Sequence, residues 1–159
     1  KHGIIASMQP VHQTSDREMA EKRLGPGRLA GAYAWKSVQA SGTRIAFGSD
    51  VPVELADPFA GMAAAISRTG PDGAPPGGWQ PQERVTREEA FAGYTVNGAY
   101  AGFAEGRFGR LVVGERADFL FVDRDIFLAT PAELRGTQVQ EVWVNGRKVW
   151  QAPAVKAGP

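Results

Sequence analysis

Apolar and polar positions in the first half of the chain fall into blocks that predict strand, helix, strand. Gly3-Ile4-Ile5-Ala6-Ser7-Met8 is a short, nearly continuous apolar run closed by Gln9-Pro10. A run of this kind fits a strand buried on both faces, as in a parallel sheet, with Pro10 closing it. Ser15-Asp16-Arg17-Glu18 has the S-x-x-E form of a capping box, so a short helix is expected toward Leu24, broken at Gly25-Pro26-Gly27. From Arg28 to Ser41, the residues Leu29, Ala32, Trp35 and Val38 recur at every third position, close to the helical repeat, and Gly42 is a natural stop. Arg44-Ile45-Ala46-Phe47-Gly48 is a second apolar run, leading into Ser49-Asp50-Val51-Pro52. That order is a βαβ unit, and a parallel sheet is its expected context.

Further along, Phe59, Met62, Ala63 and Ile66 predict a helix over Asp57 to Ser67. Thr69 to Gln82 is dense in Gly and Pro and reads as a long irregular loop, a kind of segment that is usually functional or mobile. Thr86-Arg87-Glu88-Glu89 is a second capping box, opening a helix through Tyr94 and Ala99 toward Phe103. After Gly106 the pattern switches. Ala117 to Asp123 and Val139 to Val144 read as strands, Asn145-Gly146 as a hairpin turn, and Lys148-Val149-Trp150 as the returning strand. This tail, Phe108 to Trp150, is expected to pack outside the parallel α/β part, with Pro153 to Pro159 as a frayed end.

Composition narrows the class. The 159 residues are 43% hydrophobic, which suits a compact domain. A whole (β/α)₈ barrel typically needs about 250 residues, more than are present. Lys and Arg number 18 against 17 Asp and Glu, for a net charge of +1 and no long block of one sign. Such a surface attracts neither a phosphate backbone nor an anionic membrane, so nucleic acid and lipid are not expected partners. The absence of cysteine excludes disulfides and thiolate metal sites. No apolar h-region follows Lys1, so no signal peptide is expected, and no apolar stretch approaches the ~20 residues of a spanning helix. A cytoplasmic location is the expectation, and the lack of an initiator Met leaves the true N-terminus open.

The candidate chemistry lies at the ends of the two strands, the edge where α/β sheets build sites. Asp50, at the mouth of the second strand, has the chemistry to coordinate a divalent metal and to accept a proton from its bound water. An equally simple reading makes Asp50 the cap of the following turn. His12 fits a metal ligand, a substrate donor or a polar loop-start residue. Terminal His2 is a weaker candidate, and two histidines cannot make a His-rich zinc site. Arg28 is a candidate for contact with a substrate carbonyl or carboxylate, against the common alternative of a solvated surface arginine. Asp118 and Asp123 flank a strand and read as turn or hydrogen-bonding residues. The four tryptophans read as core or interface residues.

Taken in order, these pieces resemble one family. Ile4-Ile5-Ala6-Ser7-Met8-Gln9-Pro10-Val11-His12 and Ala46-Phe47-Gly48-Ser49-Asp50-Val51-Pro52-Val53 resemble the last two barrel strands of the amidohydrolase superfamily, in the branch that contains N-substituted formamide deformylase. Tyr94-Thr95-Val96-Asn97-Gly98-Ala99-Tyr100-Ala101 resembles that branch's helix before its β-module. The stretch from Gly109 to Asp123 resembles its G-x-L-x-x-G-x-x-A-D-hydrophobic-D signature. The match extends to about Gln151.

The resemblance implies an α/β fold: the C-terminal part of a (β/α)₈ TIM-type barrel over 1–105, strands of a small β-sandwich over 106–152, and a tail over 153–159. It implies one or two divalent metals, commonly zinc, held by an H-x-H pair on the first strand and by later histidines, in some members with a carboxylated lysine as bridge. None of those ligands is present here. Asp50 matches the last-strand aspartate that binds metal, acts as general base and returns the proton to the leaving amine. His12 matches a position beyond the ligand histidines, which implies a substrate-binding or supporting role. The implied reaction is hydrolysis of an amide or other non-peptide C–N bond in a small molecule. The implied partner is the remainder of the barrel, without which the chain is expected to be inactive; assembly into a homo-oligomer stays open. A non-catalytic structural or binding relative is the alternative.

Overall fold

A computed structural model describes residues 3–154, so the N-terminal His2 and the tail residues 155–159 lie outside the described residues. The first strand, β1, spans Ala6–Met8. A 15-residue helix, α1, follows at once over Pro10–Leu24. Pro10 does not merely close the strand. It opens the helix at its first position, where its fixed φ suits the helix and its missing N–H costs nothing. The expected capping box at Ser15 is therefore the interior of α1, and the Ser15 hydroxyl instead donates to Glu54 Oε1 at 2.6 Å.

The helix expected over 28–41 shrinks to α2, Trp35–Ala40. Pro26–Arg28 forms a single 3₁₀ turn, and Tyr33 adopts φ 52°, a left-handed conformation that no helix continues through. β2, Ile45–Phe47, pairs parallel to β1 in the register Ala6↔Ile45, Ser7↔Ala46, Met8↔Phe47. α3 spans Pro58–Ser67, capped by Asp57, whose Oδ1 accepts from Phe59 N at 2.9 Å and Ala60 N at 3.2 Å. The Thr86 capping box forms as expected and opens α4, Arg87–Tyr94. The helix then breaks at Thr95 (φ −124°, ψ −96°) and resumes as α5, Val96–Ala101.

The tail builds a separate antiparallel sheet in the order β3 (Phe119–Val122), β4 (Val139–Val144), β5 (Arg147–Gln151). Asn145 and Gly146 turn the β4–β5 hairpin at φ 51° and 71°, the positive values a tight two-residue turn requires. Between β3 and β4 lies an unanticipated helix, α6, Pro131–Arg135, with its own capping box at Thr130 and Glu133.

α3 sits at the centre of the core. Phe59, Met62, Ala63 and Ala65 pack with Trp35, Ile45, Val85 and Ala90, and with Ala129 and Leu134 from the β3–β4 connection. Arg87 ties that connection down, donating to the carbonyls of Ile126 at 2.7 Å and Ala129 at 2.6 Å. α4 lies so close to β2 that a Cβ on Gly93 would fall 2.3 Å from Phe47 Cδ2. No helix of the described residues is long and apolar enough to cross a membrane.

Candidate active site

β1 and β2 end side by side, and Gly48 N extends the ladder by donating to Met8 O at 3.1 Å. The chain leaving β1 turns into α1, and the chain leaving β2 turns at Asp50, so His12 and Asp50 belong to neighbouring exits from one sheet edge. The Ser15–Glu54 hydrogen bond ties these two exits together. On the inner side, the Tyr94 hydroxyl donates to Gly48 O at 3.4 Å and Asn97 Nδ2 to Ile45 O at 3.0 Å, which hold β2 against α4 and α5.

Asp50 is exposed and left-handed, with φ 56°, a region that Asp tolerates better than most residues. The turn after it is closed by its backbone carbonyl, which accepts from Val53 N at 2.8 Å. The carboxylate does not make that bond. The nearby capping task belongs to Asp57 on α3.

His12 is the third residue of α1 and half-buried. Its Nε2 is buried without a hydrogen-bond partner among the described residues. It lines a recess of about 120 Å³ together with Ser7, Met8, Gln9, Tyr33 and Trp35. The Tyr33 hydroxyl donates to Asp16 Oδ2 at 2.8 Å, and burial together with that carboxylate pushes the phenol up to about 12.

Arg28 is not brought to this recess. Its Nε donates to Leu24 O at 2.6 Å, at the far end of α1. The helix rises 1.5 Å per residue, which puts Leu24 roughly 18 Å from His12 along the axis. Among the described residues no three His, Cys, Asp or Glu side chains converge as a metal site. The residues present therefore fit a single carboxylate ligand from a strand end and not a complete coordination sphere.

No motif or periodicity singles out Tyr33 or Arg68, of which only Tyr33 lines the recess. Tyr33, Trp79 and the wholly buried Arg68 are bound together behind it. Asp118 and Asp123, by contrast, do what their positions suggested. Asp118 Oδ1 accepts from Asn145 N at 2.8 Å, holding the hairpin turn to the start of β3. Asp123 Oδ1 accepts from Gln138 N at 2.9 Å, and its hydrogen bonds from Arg124 and Gln138 lower its carboxyl to about 2.

The Bacillus subtilis (strain 168) protein YtcJ is 30% identical over 93% of this chain and 28% of its own length. N-substituted formamide deformylase of Arthrobacter pascens is 35% identical over 70% of this chain and 20% of its own. An uncharacterized metal-dependent hydrolase from Pyrococcus horikoshii OT3 superposes with a TM-score of 0.70 at 26% identity, over 81% of this chain and 26% of that one. The chain thus spans only between 20% and 28% of the length of these three proteins. Residues 1–150 match the Amidohydrolase family, and the chain belongs to that family.

Proposed function

We propose that the chain is the C-terminal portion of a metal-dependent hydrolase that cleaves an amide or other non-peptide C–N bond in a small molecule. In this reading residues 1–105 complete a (β/α)₈ barrel and residues 106–152 contribute strands to a β-sandwich. The observation that carries it is Asp50, an exposed carboxylate at the C-terminal edge of a parallel pair whose following turn is closed by its carbonyl instead. Among the described residues neither carboxylate oxygen is engaged in that turn. Asp50 would be one ligand of a divalent metal, with zinc the metal expected. The remaining ligands would come from outside this chain, since a catalytic zinc site takes three protein ligands. The metal, when bound, supplies a water acidic enough to attack near neutral pH.

The chain's own part in the reaction follows from where its residues lie. One Asp50 oxygen accepts the proton of the attacking water, and the same oxygen returns it to the leaving amine nitrogen. His12, at the rim of the small recess, orients the substrate. Gln9 and Ser7 offer further polar contacts on the same wall, while Met8, Tyr33 and Trp35 make it apolar. Arg28 has no part in this proposal, because its guanidinium serves the end of α1.

The test uses the protein at full family length. Asp50→Asn removes the base and the charge with little change of shape, so kcat should fall by about 10²–10⁴. His12→Asn should raise KM and leave metal content near wild type. Normal turnover in Asp50→Asn, with metal content also intact, would exclude the proposed role.

A further inference from the structure

Arg68 ends α3 in a left-handed conformation, φ 60°, and its side chain is 0% exposed. A buried charge is tolerated only where hydrogen bonds and partners replace water. Burial lowers this guanidinium to about 10 against the opposing pull of Glu83, so it stays cationic at neutral pH. Two of its three nitrogens are bonded, while Nη2 is buried without a hydrogen-bond partner among the described residues. Nε donates to the Trp79 carbonyl at 2.7 Å, and Nη1 to the Tyr33 carbonyl at 2.8 Å. Its own carbonyl accepts from Trp79 N at 2.9 Å. The guanidinium carbon lies 4.3 Å from the centre of the Trp35 ring and 5.7 Å from that of Trp79, within the range of cation–π attraction.

The rings so held are tied onward to α1. Trp79 Nε1 donates to Glu21 Oε1 at 2.6 Å, and the Tyr33 hydroxyl to Asp16. Tyr33 and Trp79 meet edge to face at 6.0 Å. The Gly- and Pro-rich loop from Thr69 is thereby anchored at Trp79, which is only 7% exposed. Tyr33 and Trp35 are in turn two walls of the recess beside His12, whereas Arg68 does not line it.

We infer that Arg68 is a positioning residue for substrate: it sets the recess beside His12 by fixing Tyr33 and Trp35 and by locking Trp79 behind them. This rests on the reading of that recess as part of the substrate site. The volume of about 120 Å³ corresponds to roughly four water molecules at ~30 Å³ each. The recess is open on one side, so it is suited to receive the compact end of a substrate, such as a short acyl or alkyl group, and not to enclose it. Arg68 is suited to the task because a planar fork makes two divergent hydrogen bonds while stacking on a ring, which an ammonium cannot do.

The test compares Arg68→Met and Arg68→Lys with wild type in the full-family-length protein. The probes are N-substituted formamides and acetamides of increasing substituent size. Hydrogen exchange over residues 69–82 reads the anchor directly and needs no activity. Arg68→Met should exchange there about tenfold faster or more. KM for compact probes should rise about tenfold, as for the loss of one good hydrogen bond to charge, with kcat little changed. The discrimination between compact and bulky probes should shrink. If Arg68→Met does not accumulate as folded protein, Arg68→Lys carries the test, with the same changes in weaker form. Unchanged exchange overturns the anchoring role. Faster exchange with unchanged KM and unchanged discrimination overturns the link from Arg68 to substrate. Wild-type protein that cleaves no probe overturns the hydrolase reading instead, while the exchange data still decide whether Arg68 holds the wall.

Discussion

Two acids seven positions apart, Asp50 and Asp57, separate function from stability in one experiment. Asp57 accepts two backbone N–H groups at the head of α3, at 2.9 and 3.2 Å. α3 supplies much of the core, including Phe59, Met62 and Ala63. Replacing such a cap by alanine costs about 1 kcal/mol and up to about 2, while asparagine restores most of it. Among the described residues the Asp50 carboxylate makes no comparable bond, and the turn after it is closed by the Asp50 carbonyl. Asparagine also tolerates the left-handed backbone at φ 56°, as aspartate does, so Asp50→Asn should stay within about 0.5 kcal/mol of wild type. The assay, in the protein of full family length, is urea unfolding of Asp57→Ala, Asp57→Asn and Asp50→Asn beside steady-state kinetics of each. Asp57→Ala should lose stability and keep its turnover, and Asp50→Asn should do the reverse. If Asp50→Asn loses as much stability as Asp57→Ala and still turns over, Asp50 is a turn residue and the reasoning about the site fails.

Two further outcomes follow from the packing and the charges. Gly93→Ala places a methyl 2.3 Å from the Phe47 ring; overpacking of this kind costs about 1–3 kcal/mol, and equal stability to wild type in urea would show that α4 and β2 are farther apart. The Asp123 carboxyl, lowered to about 2 by Arg124 and Gln138, adds stability above the unfolded value of about 3.9. That contribution fades as pH falls toward about 2, so Asp123→Asn should flatten the acid limb of the stability curve; parallel limbs in the two proteins would refute it.

Much of the fold was legible because local chemistry and tertiary need agree. The Thr86 box forms since Thr86 is itself extended (φ −71°, ψ 168°) at the head of a helix that buries Ala90 and Gly93. The identical form at Ser15 fails because Pro10 has already started α1 upstream. Nothing in the four residues themselves distinguishes the two cases. α6 carries the same signature, with Thr130, Glu133 and a proline at its first position, and that signal was missed. Asp50 and His12 were legible as candidates because strand ends are where α/β sheets place chemistry. Arg68 was not. Its partners Tyr33 and Trp79 lie on separate loops, and no periodicity or motif links an arginine to two carbonyls that only the folded chain brings together.

The cover that α6 and Ala129 give to α3 has a consequence for the order in which the chain is made. Residues 58–67 leave the ribosome well before residues 129–134, and synthesis at about 5–20 residues per second makes that interval several seconds. During it the face bearing Phe59 and Met62 lacks Leu134, its fully buried neighbour from the far side of β3. Closing so distant a contact is entropically slow. A nascent chain halted between Val122 and Thr130 should present that face to solvent and to chaperones, and release of a few more residues through Leu134 should withdraw it.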